Sequence, residues 1–316
     1  TLTLTTGTLT VGGNTLTLNG PAIAGTPTNL STSSSSSLSF GGSSSSVSIP
    51  SSATALNNLT INNSNGVTLN GPPTINGTLT LTAGTLDNTT NNITLANGAT
   101  ISRDIGSLSA VPTFGTGVNV IYTGTTAVTT GNELPSSTSV LNNLTINKTN
   151  GVTLNADVTV NGTLTLTSGK VTLGSKTLTI ASSGSVSGAS SSSYVVATSS
   201  GAITRKSVGA SDALFPVGLT TKYLPVTINN AGTADDFSVN NIRPSFDNAP
   251  NDPNKVVNMQ WIITEVTPGG SNATITLQWN TADEAAGFVR TDPIYIGRYN
   301  GTQWVQTPAT FTDLGG

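Results

Sequence analysis

Ionisable side chains come together at few places in this sequence. Two acidic doublets, Asp235-Asp236 and Asp283-Glu284, and one adjacent pair of opposite charges, Arg103-Asp104, stand out. Calcium takes oxygen ligands offered by loops, so Asp235, Asp236, Asp283 and Glu284 are the candidate metal ligands. Neither doublet has the alternating Asp-x-Asp spacing of a dedicated calcium loop, and a charged turn accounts for each equally well. Hydrolysis or lysis of a polysaccharide needs clustered carboxylates, often with a base or calcium. The first 200 residues offer only Asp87, Arg103, Asp104, Glu133, Lys148, Asp157, Lys170 and Lys176. Arg103-Asp104 is the one close pair among them and reads as a solvated corner. No catalytic constellation emerges, and the sequence reads as that of a non-enzyme.

Cysteine and histidine are both absent. That excludes disulfides, a thiol nucleophile, the usual zinc sites and histidine acid–base chemistry. No cofactor is implied. Charged residues make up 8% of the chain and the net charge is −3, so there is no basic surface for nucleic acid. No run of apolar residues is long enough to span a membrane as a helix. Trp261, Trp279 and Trp304 could form a sugar-stacking face. Their alternating apolar neighbours argue that Trp261 and Trp279 are core residues, with Trp304, after the Asn300-Gly301 turn, less buried. Files of Thr could order water on a flat face, but high β-propensity and solubility explain them without a ligand.

The elements that carry these residues are β-strands. Thr, Leu, Val, Ile, Ser, Asn and Gly dominate, a vocabulary of strands and turns. LNNLTINNSNGVTLNGPPTINGTLTLTAG starts at Leu56, and LNNLTINKTNGVTLNADVTVNGTLTLTSG starts at Leu141. A long repeat of about 80 residues therefore runs through the first part. Within it, alternating pairs such as Leu59/Ile61, Val67/Leu69 and Leu79/Leu81 mark short strands separated by Asn-Gly corners. Equivalent strands recur about every 20 residues, three to a turn.

The sequence thus predicts an all-β chain: a parallel, right-handed β-solenoid over residues 1–200, then an antiparallel β-sandwich over residues 201–316. At ~4.8 Å per turn, ten turns give a rod of about 50 Å. An array of hairpin sandwiches is the competing architecture, because Asn-Gly also suits hairpins. The LNNLTIN segments should lie on one wall, about four turns apart, with Leu59, Ile61, Leu144 and Ile146 inward. Sandwich strands are expected at 223–229, 236–241, 258–265, 273–279, 293–299 and 303–307.

The runs LNNLTIN, GVTLN and NGTLTLT resemble the repetitive segments of large secreted and cell-surface proteins of Bacteroidota and related bacteria. The run FPVG, YLPVTINNAG, WIITEVTPGGSNATITLQWN and IGRYNGTQW is similar to the β-sandwich module that often follows such repeats. The resemblance implies an adhesin-like extracellular protein exported by type IX secretion, and is nearly silent on activity.

The opening TLTLTTGTLT begins inside a repeat and lacks the features of a signal peptide. The chain is expected to be a processed form or part of something longer. An open solenoid end offers unpaired backbone groups, so Thr1, Leu2, Leu4, Leu9, Leu16 and Leu18 are the candidate subunit-interface residues. The expected role is structural: a stalk or filament subunit whose copies assemble head to tail. Upstream repeats of the same polypeptide are the other way to cover that end. The alternative functions are a module that binds glycans or a surface on a solenoid spacer and, as a minor one, a carbohydrate-active enzyme.

Overall fold

The computed structural model describes residues 2–20 and 23–314. Three-strand turns stack in parallel to form a β-solenoid. Its first wall is one nine-stranded sheet: Thr15–Leu18, Ser37–Gly42, Asn58–Asn63, Thr78–Ala83, Thr100–Arg103, Val118–Tyr122, Leu141–Asn147, Thr163–Ser168 and Ser185–Ser187. The register runs Leu59 to Leu79, Ile101, Val120 and Leu144. The two LNNLTIN segments therefore sit on the same wall, four turns apart. Leu59, Ile61, Leu144 and Ile146 are fully buried.

Strict alternation explains this wall. A strand sends successive side chains to opposite faces, so Leu in Leu-Thr-Leu fills the core while Thr meets solvent. Stacking then sets like on like. One inner file reads Leu18, Phe40, Ile61, Leu81, Arg103, Tyr122, Ile146, Leu166. Two of its eight members are polar, and they are adjacent.

The other two walls are discontinuous. On the second, the ladder from Ser48–Ile49 to Ser107–Leu108 stops, and a new one runs from Val128–Thr129 to Val217–Gly218. On the third, the ladder from Ala55–Leu56 to Thr113–Phe114 stops, and pairing resumes at Val158–Val160. Both breaks fall around the turn that follows Val118–Tyr122. That turn is the longest step on the first wall, from Val120 to Leu144, and residues 130–140 form a loop where a third-wall strand would stand.

Toward the C-terminus the third wall changes character. Ala202–Val208 pairs in parallel with Leu178–Ile180 on one side and antiparallel with Asp235–Arg243 on the other, and Gln260–Glu265 extends the sheet. A second antiparallel sheet comprises Ala213–Phe215, Val226–Asn230 and Ala273–Leu277. Ile294–Tyr299 and Trp304–Ala309 make a separate hairpin. All six strands expected here exist, but the expected sandwich forms only in part. One of its sheets is a continuation of the solenoid wall, and the final hairpin joins neither sheet. Phe215, Leu224, Val226, Ile228, Phe237 and Val239 are buried, whereas Ile263, Ile275 and Leu277 are covered only in part. Among the described residues no helix is long and apolar enough to cross a membrane.

Candidate functional site

The most unusual chemistry lies inside the solenoid, where two walls break. Arg103 is the residue at which the inner aliphatic file turns polar. Its Nε donates to the Gly106 carbonyl at 2.7 Å and its Nη1 to the Thr129 carbonyl at 3.0 Å. These carbonyls flank the interrupted second-wall ladder, so the guanidinium bridges strands that no longer pair. Nη1 also meets Glu133 Oε1 at 2.5 Å. Glu133 comes from the inserted loop and is fully buried. The same oxygen accepts from the Tyr122 hydroxyl at 2.7 Å and from the Gly131 N–H at 2.9 Å. Burial first, and then the Glu133 carboxylate, push the Tyr122 hydroxyl well above its usual titration range. Glu133 Oε2 is buried without a hydrogen-bond partner.

Lys148 forms a second lock. It occupies the place that Asn63 holds in the earlier repeat, and both side chains are fully buried. Asn63 donates to the Ser44 carbonyl at 3.0 Å, one turn back. The longer Lys148 donates to the Thr123 carbonyl at 2.5 Å and reaches a further turn to Asp104, with its Oδ1 at 2.8 Å and its carbonyl at 3.3 Å. One ammonium thus ties three successive levels. The expectation of a solvated Arg103-Asp104 corner is corrected here: Arg103 is buried, and Asp104 is a half-buried partner of Lys148. The two charges point to different places because adjacent strand residues face opposite ways at the end of a strand. Sequence reading missed Glu133 and Lys148 as partners because they lie far along the chain. The signal that could have found them is the misfit itself: Arg and Lys at positions the repeat otherwise fills with Leu and Asn.

The Arg103–Glu133–Tyr122 cluster ties walls together. It is buried, and its carboxylate, Glu133, faces a cation and a phenol. The acidic doublets have partners of their own, although Asp283 Oδ2 is buried without one among the described residues. Asp236 pairs with Lys206 at 2.6 Å and accepts from the Ser207 N–H at 2.9 Å. Burial would raise its carboxyl, but the Lys206 ammonium and the Ser207 N–H outweigh this and hold it below the usual range. Asp235 accepts from the Asp236 and Thr267 N–H groups. Asp283 is buried against Lys222. Glu284 accepts from Trp279 Nε1 at 2.9 Å and from Arg290 Nε at 3.0 Å. Among the described residues, no three metal-ligating side chains converge.

The three indoles pack against their own module. Trp261 donates to the Leu224 carbonyl, and Trp279 lies against Phe288 and Phe311. Trp304 meets Phe246 and Tyr299 and donates to the Asn248 and Ala249 carbonyls. All three are half-buried. The outward hydroxyl file of the first wall is irregular. Thr17, Ser39, Thr60, Thr80 and Ser102 are followed by Ile121 before Thr145 and Thr165.

At the other end of the rod, Thr15–Leu18 is the outermost strand of the first wall and pairs on one side, with Ser37–Gly42. Leu2, Leu4, Leu16 and Leu18 are half-buried against the core, and Leu9 is 36% exposed. Thr1, also expected at this interface, lies outside the described residues. Comparisons with known protein families, with curated proteins and with solved structures found no match.

Proposed function

We propose that this chain is a structural rod of an extracellular assembly, a right-handed solenoid segment of a surface filament or adhesin stalk, and not a catalyst. The observation that carries the reading is the first wall. Nine parallel strands share one aliphatic core, and the outermost, Thr15–Leu18, keeps one edge without a partner strand among the described residues. A solenoid of this kind resists bending through its main-chain ladders. An edge of this kind above half-covered leucines is a template for strand addition, whether by a second copy or by repeats upstream in the same polypeptide. The surface we assign to it is the Ile294–Tyr299 and Trp304–Ala309 hairpin, a two-stranded sheet whose outer edges pair with no other strand among the described residues, with Tyr295 and Val305 exposed. Joining these unlike surfaces does not close on itself, so copies propagate head to tail. The repeats' resemblance to secreted surface proteins of Bacteroidota supports an extracellular setting.

Analytical ultracentrifugation and negative-stain electron microscopy of the purified chain test this. Rods that lengthen with concentration are expected. A monomer at micromolar concentration, with no larger species, overturns head-to-tail assembly. Compact rather than elongated particles overturn the rod itself.

A further inference from the structure

Where the third wall turns from parallel to antiparallel pairing, a groove of about 720 Å³ opens on the surface. It follows the rod axis. Thr138, then Thr159 with Asn161, then Thr179, then Lys206 supply its lining at successive levels, and Asp236 lies beside Lys206. Thr159 and Thr179 are direct register partners, so their side chains repeat at ~4.8 Å, and four levels span roughly 14 Å.

Two backbone irregularities meet beside Lys206 and Asp236. Ser207 holds φ at +53°, a conformation non-glycine residues rarely adopt. The pairing of Ala202–Val208 with Asp235–Arg243 slips between Arg205 and Val208. Bulges and strained residues of this sort re-aim side chains and gather at binding sites. Their effect here is concrete: the Ser207 N–H and the Lys206 ammonium hold the two oxygens of Asp236 at 2.9 and 2.6 Å, fixing a donor–acceptor pair in the groove's lining.

The geometry points to a binding subsite for a neutral, straight, hydroxyl-rich glycan chain laid along the rod. The lining presents hydroxyls, an amide and a mutually neutralised Lys–Asp pair, and Ala181 is its largest purely aliphatic side chain. A peptide would ask for apolar pockets or an open strand edge, and an anionic ligand would ask for unpaired positive charge. A sugar's neighbouring hydroxyls each donate and accept, which suits Thr hydroxyls at one-turn spacing and an Asp beside a Lys. No ring lines the groove, so one side of the glycan is read by hydrogen bonds alone. This inference does not rest on head-to-tail assembly, which the sedimentation experiment decides separately.

Native affinity electrophoresis of the full chain tests it, with hydroxyethyl cellulose and a linear β-1,4-glucomannan as neutral probes and polygalacturonate as an anionic one. Retardation by at least one neutral probe is expected. The double variant Thr159→Val/Thr179→Val, which keeps β-branched shape at half-buried positions, should lose at least tenfold in affinity with an unchanged melting temperature. Lys206→Gln should weaken retardation in the same gels. No retardation by either neutral probe overturns the inference. So does retardation by polygalacturonate alone, or equal retardation of the double variant and the parent chain.

Discussion

Lys148 and Tyr122 show how single residues repair a broken repeat. Lys148 satisfies the Thr123 and Asp104 carbonyls from a fully buried position. Lys148→Met leaves them without a donor, at about 1–3 kcal/mol for an unsatisfied buried group. The Asp104 carboxylate adds little to that, since it is a third exposed and water can take the ammonium's place. Lys148→Asn, which restores the residue of the earlier repeat, should lose less than Lys148→Met. Urea unfolding of both variants checks the order. Tyr122 predicts an alkaline limit. Burial and Glu133 make the folded state hold the phenolic proton more tightly than the unfolded chain does. That contribution is intact below the unfolded value near 10 and is lost as pH rises from there toward the folded value. The unfolding midpoint should therefore fall above about pH 10, and less steeply in Tyr122→Phe. Equal slopes for the two proteins would contradict the assignment. Tyr223, also raised by burial, supplies a residual slope in both.

The strand is the next scale, and its position in the stack sets what a substitution costs. Leu144→Ala empties a site with no exposure in mid-wall, so a loss of about 2–5 kcal/mol is expected. Leu16→Ala, in the outermost strand and half-buried, should lose distinctly less in the dispersed chain. If copies join through that edge, the two losses should converge as concentration rises, which thermal melts over a dilution series can follow. Corners have their own requirement. Gly169 sits at φ +80°, and an added Cβ would stand 1.8 Å from the Lys148 carbonyl oxygen. Gly84 has the same relation to Asn63. Gly169→Ala therefore combines a disfavoured backbone with a main-chain clash and should destabilise by more than about 1 kcal/mol, measured by the same unfolding experiment.

Across the whole molecule, the few charges are arranged to close the chain on itself. Lys206, Lys222 and Arg290 pair with Asp236, Asp283 and Glu284, so three of the four doublet carboxylates face a cation of the same chain, and Asp235 accepts from two backbone N–H groups. Adding a chelator should leave the melting temperature unchanged. A fall on chelation, reversed by calcium, would show instead that a doublet holds metal. With no histidine in the sequence, no side chain has an ordinary pKa between pH 5 and 8. Stability should be flat across that interval, and a step within it would contradict this expectation.

The coil itself was legible in the sequence, because each wall is a local period-two pattern repeated at nearly constant spacing. Leu59, Ile61, Leu144 and Ile146 could be set inward, on one wall and four turns apart, without coordinates. The sandwich strands were legible for the same reason, from Val226–Asn230 to Trp304–Ala309. What they pack against was not. Whether Asp235–Arg243 closes a separate sandwich or extends the solenoid depends on the free edge of Ala202–Val208, a long-range pairing that leaves no periodic trace. Arg103, Glu133, Tyr122 and Lys148 likewise looked like stray polar residues in an apolar repeat. Only the tertiary structure decides that Arg103, Glu133 and Tyr122 meet where two walls break and that Lys148 meets Asp104 beside them, because a buried charge is tolerable only beside its partner, and these partners are brought together by stacking rather than by sequence. The axial groove has the same origin: its residues come from successive turns and become neighbours only once the coil is wound.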